Sequence, residues 1–353
     1  MRLAFVSFET IYHRDAEANA RLATVIDLLR ERGHEVHVLC AAFWDGDHAT
    51  FERDGVTYHG LVGDLESARS FLWRVPTALR RIGPDTVHAS AHPPAQVAAA
   101  SAGAALARVP LLVEWYGDEG IDEGRWSRLA ARRPDRIVTP SRLVRTWTRE
   151  LGAEGERVDV IPCPVDWSVI DGTEPAEGAE IVYARHLDEG ANLESLMLAL
   201  AELRGRDWAA TVIGDGPERE HYEDLARDLR IDERVSFAGD LEREARVAAY
   251  KNAHVFVQTA THCVFPTELA WALACGCIGI VEYHANSSAH ELVEGRERGF
   301  RTTTERELVE TIVDAGDLEH RERDDAFEPF GRRPTLERYL QHYRDLQLEY
   351  GLL

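Results

Sequence analysis

The sequence predicts an α/β protein with two Rossmann-like domains in tandem and a closing C-terminal helix. Three observations carry this. Strand-like and helix-like segments alternate in two successive series, with a break near Pro164–Pro175. Residues 255–282, VFVQTATHCVFPTELAWALACGCIGIVE, run strand, loop, helix, Gly, strand, which is a βαβ unit. In open parallel sheets the loop after such a first strand faces the ligand crevice. Finally, Leu336, Tyr339, Tyr343 and Leu346 fall on one stripe of a terminal helix. The expected boundaries are 1–165, 166–330 and 331–353, and a chain of 353 residues suits two cores.

The elements follow in order. RLAFVSF is a first strand, and residues 16–32 have helical periodicity, with Leu22, Val25, Ile26 and Leu29 on one face and Gly33 as the stop. EVHVLCAAF and VTYHGL continue as strands, then a helix near 67–82 and the strand DTVHAS. A small-residue helix over 93–108 precedes the strands PLLVEWY and DRIVTPS, and a helix through 141–151 leads to VDVIPCPV. The second series runs EIVYARHL, helix 192–204, WAATVIG, helix 217–229, VSFAG, helix 242–252 and the βαβ unit. Paired domains of this kind bind ligands in the cleft between them and imply a hinge near 164–175.

Net charge is −22, and Lys251 is the only lysine. A carboxylate-rich surface nearly free of lysine stays hydrated in a salt-rich cytoplasm, which points to a halophilic source and away from nucleic acid. The charge is uneven. Residues 69–149 hold thirteen Arg against seven Asp or Glu, a local +6, so the remainder carries −28. Trp73, Trp126 and Trp147 interleave with these arginines, as a face meeting anionic lipid would; solvated helix faces are the alternative. The apolar runs are too short and Ala-rich to span a bilayer, and Met1 leads straight into a strand, so a cytoplasmic protein is expected. Five cysteines, without a CxxC pair, read as reduced thiols.

The ordered motifs GHEVHVL (33–39), DTVHAS (85–90), DRIVTPS (135–141), VDVIPCPVD (158–166), VIGDGPERE (212–220) and the 255–282 unit resemble the retaining GT-B glycosyltransferases of the family-4-like group. The resemblance covers nearly the whole chain. It implies an acceptor domain over 1–165, a nucleotide-sugar domain over 166–330, and a last helix crossing back to the first domain. It also implies transfer of a sugar from a nucleotide-diphosphate sugar with no cofactor and no metal. Charge then builds on the leaving diphosphate, which cations and helix N-termini stabilise.

Residue by residue, Arg185 in YARHLDEG fits the family's arginine, and a guanidinium suits a diphosphate. The family's lysine falls on Glu189 or Gly190. Gly214 and Gly216 of GDGPE open a helix near the nucleotide; a plain αβ turn is the alternative. The family's two glutamates fall on Cys263 and Trp271. Glu268, one turn before Trp271, is the replacement candidate for ribose or sugar recognition, with Thr267 beside it; a helix cap and first-turn carboxylate is the other reading. Trp271 stacks on a base or belongs to the core. Ser287, Ser288 and Glu291 fall on "GGxxE", with Ser288 a phosphate candidate.

In the first domain Glu9–Arg14 lacks the family's Gly-Gly. Tyr116, Asp118 and His88 are candidates to line the acceptor side, and His92 lies near. Asp45-Gly46-Asp47 is a D-x-D without the context of a metal site. The expected function is a hexosyltransferase-type enzyme acting on a glycan or lipid-linked acceptor at the cytosolic membrane face. The rivals are an inactive binding or partner subunit, which the lost glutamates and lysine favour, and a nucleotide-sugar 2-epimerase.

Overall fold

The structure is a computed structural model that describes residues 1–46, 48–117 and 124–352. It divides into two compact units, Met1–Pro162 with Arg333–Leu353, and Cys163–Arg332.

The first unit is built on β1 (Arg2–Val6), α1 (Glu17–Glu31), β2 (Glu35–Ala41), β3 (Thr50–Arg53), β4 (Val56–Val62), α2 (Ala68–Ile82), β5 (Thr86–Ser90), α3 (Ala95–Ala107), β6 (Leu111–Glu114), α4 (Arg125–Arg132), β7 (Arg136–Thr139), α5 (Arg142–Glu150) and β8 (Val158–Val160). Its sheet has the order β3-β4-β2-β1-β5-β6-β7-β8, parallel except for the β3–β4 hairpin. That hairpin turns at Asp54-Gly55, both with positive φ, as a two-residue loop requires. Leu22, Val25, Ile26 and Leu29 of α1 are buried against the sheet, and Gly33 follows the helix at φ +85°.

The second unit begins with α6 (Trp167–Gly172) and continues through β9 (Ile181–Ala184), α7 (Leu193–Glu202), β10 (Ala210–Ile213), α8 (Arg219–Asp228), β11 (Val235–Gly239), α9 (Arg243–Asn252), β12 (Val255–Gln258), β13 (His262–Cys263), α10 (Thr267–Ala274), β14 (Ile278–Glu282), β15 (Asn286–Ser287), α11 (His290–Val293), β16 (Gly299–Thr302) and α12 (Glu305–Ala315). Its sheet is wholly parallel, in the order β11-β10-β9-β12-β14-β16. The order reverses between β9 and β12, where an open α/β sheet holds its ligand.

Helix α13 (Arg332–Glu349) then joins the first unit. Leu336, Tyr339, Leu340, Tyr343 and Leu346 complete a core with Leu22, Val25, Leu29, Leu112 and Ile161. Beneath them Arg21 donates to Glu114 Oε1 (2.7 Å) and to the Ile161 carbonyl (2.7 Å). The Tyr339 hydroxyl donates to Glu114 Oε2 at 2.7 Å. All three polar side chains are buried.

Candidate functional site

At the reversal point of the second unit the β9–α7 and β12–α10 loops lie side by side. Thr261 N–H donates to the Gly190 carbonyl (3.1 Å), and Asn192 Nδ2 to the Thr259 carbonyl (2.9 Å). The Thr259 hydroxyl returns a bond to the Asn192 carbonyl (2.7 Å). The loops after β12 and β14 are also joined, because β13 and β15 pair as a two-stranded ribbon. The strand ends are thus set in one frame.

Arg185 stands immediately after β9 with its side chain 20% exposed, and its Nη2 lies 3.8 Å from Asp188 Oδ1. Its Nε, the Asp188 Oδ1 and the Gln258 Oε1 are all buried without a hydrogen-bond partner among the described residues. Gln258, the last residue of β12, is only 4% exposed. The parallel β9–β12 ladder, Val255 beside Ile181 and Phe256 beside Val182, puts Gln258 and Arg185 at the same end of the two strands. Buried polar atoms are almost always paired. One donor and two acceptors left open at the point of reversal are what an absent polar ligand would satisfy. Glu282 and His284 (3.5 Å apart) border the same loops through Asn192.

The other candidates in this unit are occupied by the protein itself. Gly214 N–H donates to the Gly239 carbonyl (2.8 Å), and Gly216 N–H to Asp215 Oδ1 (2.8 Å). Both have positive φ, and a Cβ would lie 2.0 Å and 2.3 Å from the carbonyls of Arg185 and Leu187. These glycines let two loops touch; their amides are not open to a phosphate. Ser288 is 1% exposed, its hydroxyl donating to the Val264 carbonyl and its amide to the Cys263 carbonyl, each at 2.8 Å. It has nothing left for a phosphate.

Glu268 accepts from Arg243 (2.9 Å), Arg246 (2.9 Å) and the Tyr250 hydroxyl (2.6 Å). Burial alone would raise its pKa, but these partners, Arg243 first, hold it below the usual carboxylate range. Its carboxylate locks α10 to α9 and is saturated. Trp271 is 6% exposed, with Arg243 4.6 Å over its ring, so that face is covered. Thr267 opens α10 half-buried and makes no side-chain cap.

In the first unit, Tyr116 is 4% exposed and its hydroxyl donates to Glu17 (2.9 Å). His88 is wholly buried, stacked on Phe5, sharing a 2.7 Å hydrogen bond with Tyr343 and lying 3.5 Å from Glu114. Burial lowers its pKa. It is a core histidine and does not line an acceptor surface. Asp118 and Asp47 lie outside the described residues. Among those described, no group of His, Cys, Asp or Glu is placed to hold a metal.

Comparison with known proteins bears on these positions. Residues 18–168 match the model for Glycosyltransferase Family 4, and residues 171–329 that for Glycosyl transferases group 1. The chain belongs to the family 4/group 1 glycosyltransferases. Its fold is GT-B. It superimposes on a sucrose-phosphate synthase from Thermosynechococcus elongatus with a TM-score of 0.76 at 17% identity, covering 98% of each chain. With Anabaena HepE in complex with UDP the TM-score is 0.75 at 17% identity, over 98% of this chain and 100% of that one. The lipopolysaccharide outer core galactosyltransferase WaaB gives 0.70 at 16%, over 99% and 98%. No curated protein matches by sequence.

Within this family 4/group 1 chain, the positions of the two signature glutamates are a buried Cys263 and the covered Trp271. Sequence reasoning placed Arg185 at the site and missed Asp188 and Gln258. A polar residue closing the apolar run VFVQ was the available signal for Gln258.

Proposed function

We propose that this chain is a retaining glycosyltransferase that moves a hexosyl group from a nucleoside-diphosphate sugar to a glycan or lipid-linked acceptor without a bound metal. The observation that carries the reading is the trio of buried, unpartnered polar atoms at the β9/β12 reversal. As the anomeric bond breaks, negative charge grows on the leaving diphosphate, and Arg185 supplies the cation to meet it. Sugar and ribose hydroxyls are donors, and they suit the acceptor oxygens of Asp188 and Gln258. These two take the recognition task that Cys263 and a covered Trp271 cannot perform. The family resemblance supports retention at the anomeric carbon. The solved relative HepE, held with UDP and with UDP-glucose, makes UDP-glucose the first donor to try.

The acidic, nearly lysine-free surface supports a salt-rich cytoplasm, and the basic 69–149 segment supports an acceptor presented at a membrane face. Calorimetry with UDP-, GDP- and dTDP-sugars in molar KCl tests the donor. One nucleotide-sugar should bind, and Arg185→Ala should weaken it by at least about tenfold, the loss of a charge-assisted bond. A folded protein that binds none of them overturns the reading.

A further inference from the structure

The outer helices of the first unit invert the charge pattern of the rest of the molecule. Helices α2, α3 and α4 hold seven arginines and no Asp or Glu, in a chain with 62 acidic residues. The placement is inverted too. Each of α7 to α12 has a glutamate in its first turn, the end where the helix dipole favours an anion. Helices α2, α4 and α5 have no acid there and instead carry Arg69, Arg125 and Arg142 in the first turn. Cations at that end cost helix stability, so helix formation does not explain them.

The geometry gathers this charge on one surface. The helices between parallel strands run antiparallel to them, so the C-terminal ends of α2, α3 and α4 share one rim of the sheet. Arg80, Arg81, Arg108, Arg132 and Arg133 stand exposed along it. Trp73, one turn after Arg69, is 84% exposed, the highest value for a large apolar side chain among the described residues. Arg74 is tied to the Leu61 carbonyl, whereas Arg69, Arg80 and Arg81 have no ion pair among the described residues. Between α2 and α4 lies the uncharged α3, with Leu106 46% exposed; its Gly103 lets α2 approach through Pro76 and Leu79. On α4, Arg125 covers Trp126, itself 44% exposed. The acidic residues among 118–123 precede α4 and lie outside the described residues.

We propose that the α2–α3–α4 layer docks on an anionic bilayer surface. Arginines spread over three helices match a sheet of lipid phosphates, and indoles settle at headgroup depth. No helix of the described residues is long and apolar enough to cross a membrane, so the protein lies on the surface. The −28 carried by the chain outside residues 69–149 fixes the orientation, because the basic segment is the part attracted.

Cosedimentation with phosphatidylcholine vesicles, and with mixed phosphatidylglycerol–phosphatidylcholine vesicles, tests this in dilute and in molar KCl. Binding is expected to the mixed vesicles only, weakening as salt screens it. The triple charge reversal Arg69→Glu, Arg80→Glu, Arg81→Glu should lower it by more than about tenfold, and Trp73→Ala should lower it further where Trp73→Phe does not. These side chains are exposed, so thermal melting should show folded variants. Nucleotide-sugar binding by the same variants should be unchanged, which separates failure here from failure of the donor reading. No vesicle binding, equal binding to both lipids, or indifference to charge reversal overturns the proposal. So does self-association without lipid that charge reversal abolishes, which would assign the layer to a second copy.

Discussion

Two glutamines stand where the strand order reverses in the two sheets, and they are treated oppositely. Gln96, after β5, accepts from Phe8 N–H (2.9 Å) and donates to the Ser90 and His92 carbonyls, wholly buried. Gln258, at the end of β12, is as deeply placed with its Oε1 unmatched. The same contrast extends to charge. Arg21 and Glu114 in the first unit answer each other, whereas the Nε of Arg185 and the Oδ1 of Asp188 remain open. Paired polar groups hold a fold together, and a cluster of open ones at the strand-order reversal marks a candidate place for a ligand. Nature's one concession is cost, since an open buried acceptor destabilises the ligand-free protein by about 1–3 kcal/mol.

The comparison can be broken most forcefully at the saturated centre. Glu114→Ala takes the carboxylate away from the buried Arg21 guanidinium and should cost about 3–5 kcal/mol, read as a lower urea midpoint. A loss below about 1 kcal/mol would mean that the centre is not tightly coupled. Acid should reach the same place. Burial would raise the Glu114 carboxyl, but Arg21, His88 and Tyr339 outweigh it and hold it at about 2, against 4.5. A depressed carboxylate contributes stability above its unfolded value and loses it as pH falls, so about 3 kcal/mol should vanish between pH 4.5 and 2. Buried His88 sits below 6.5, so the unfolded chain protonates first and stability begins to fall once pH drops past 6.5. His88→Gln should remove that earlier part, seen as a flatter midpoint-versus-pH curve.

The glutamines sharpen the contrast at smaller scale. Gln96→Ala orphans the Phe8 amide and should destabilise by about 1–3 kcal/mol with no specific effect on nucleotide-sugar affinity. Gln258→Leu should leave stability within about 1 kcal/mol of the parent, or raise it, while weakening nucleotide-sugar affinity several-fold. If both substitutions destabilise alike and neither alters affinity, the two glutamines are equivalent and the site lies elsewhere.

The fold was legible because strand and helix periodicities are local. RLAFVSF, VFVQ and the α1 stripe need no distant residue to be read. The β3–β4 hairpin was overlooked although Asp54-Gly55 announces it, since Thr50–Arg53 is a short, exposed edge strand. Short α4, α6 and α11 and the two-residue β13 and β15 were overlooked because so few residues show no period. Site chemistry was less legible, because partners decide it. Glu268 looks available until Arg243 and Arg246 arrive from α9, and His88 until Tyr343 arrives from α13. Ser288 and Gly214 sit at the right strand ends and are silenced by neighbouring carbonyls. Arg185 stays a candidate: among the described residues its recorded ion pair is with Asp188, 3.8 Å away, and its Nε has no hydrogen-bond partner.

Helix α13 has a consequence for synthesis. The first unit is interrupted in sequence by the whole of residues 163–332, and its core is closed by Tyr339 and Tyr343. Translation proceeds at about 5–20 residues per second, so the domain begun first is completed last. Until then Arg21 and Glu114 lack the Tyr339 hydroxyl above them, and the apolar face that α13 covers stays open. The nascent chain must carry that exposed face for the time taken to make the intervening domain, which folds from one continuous stretch.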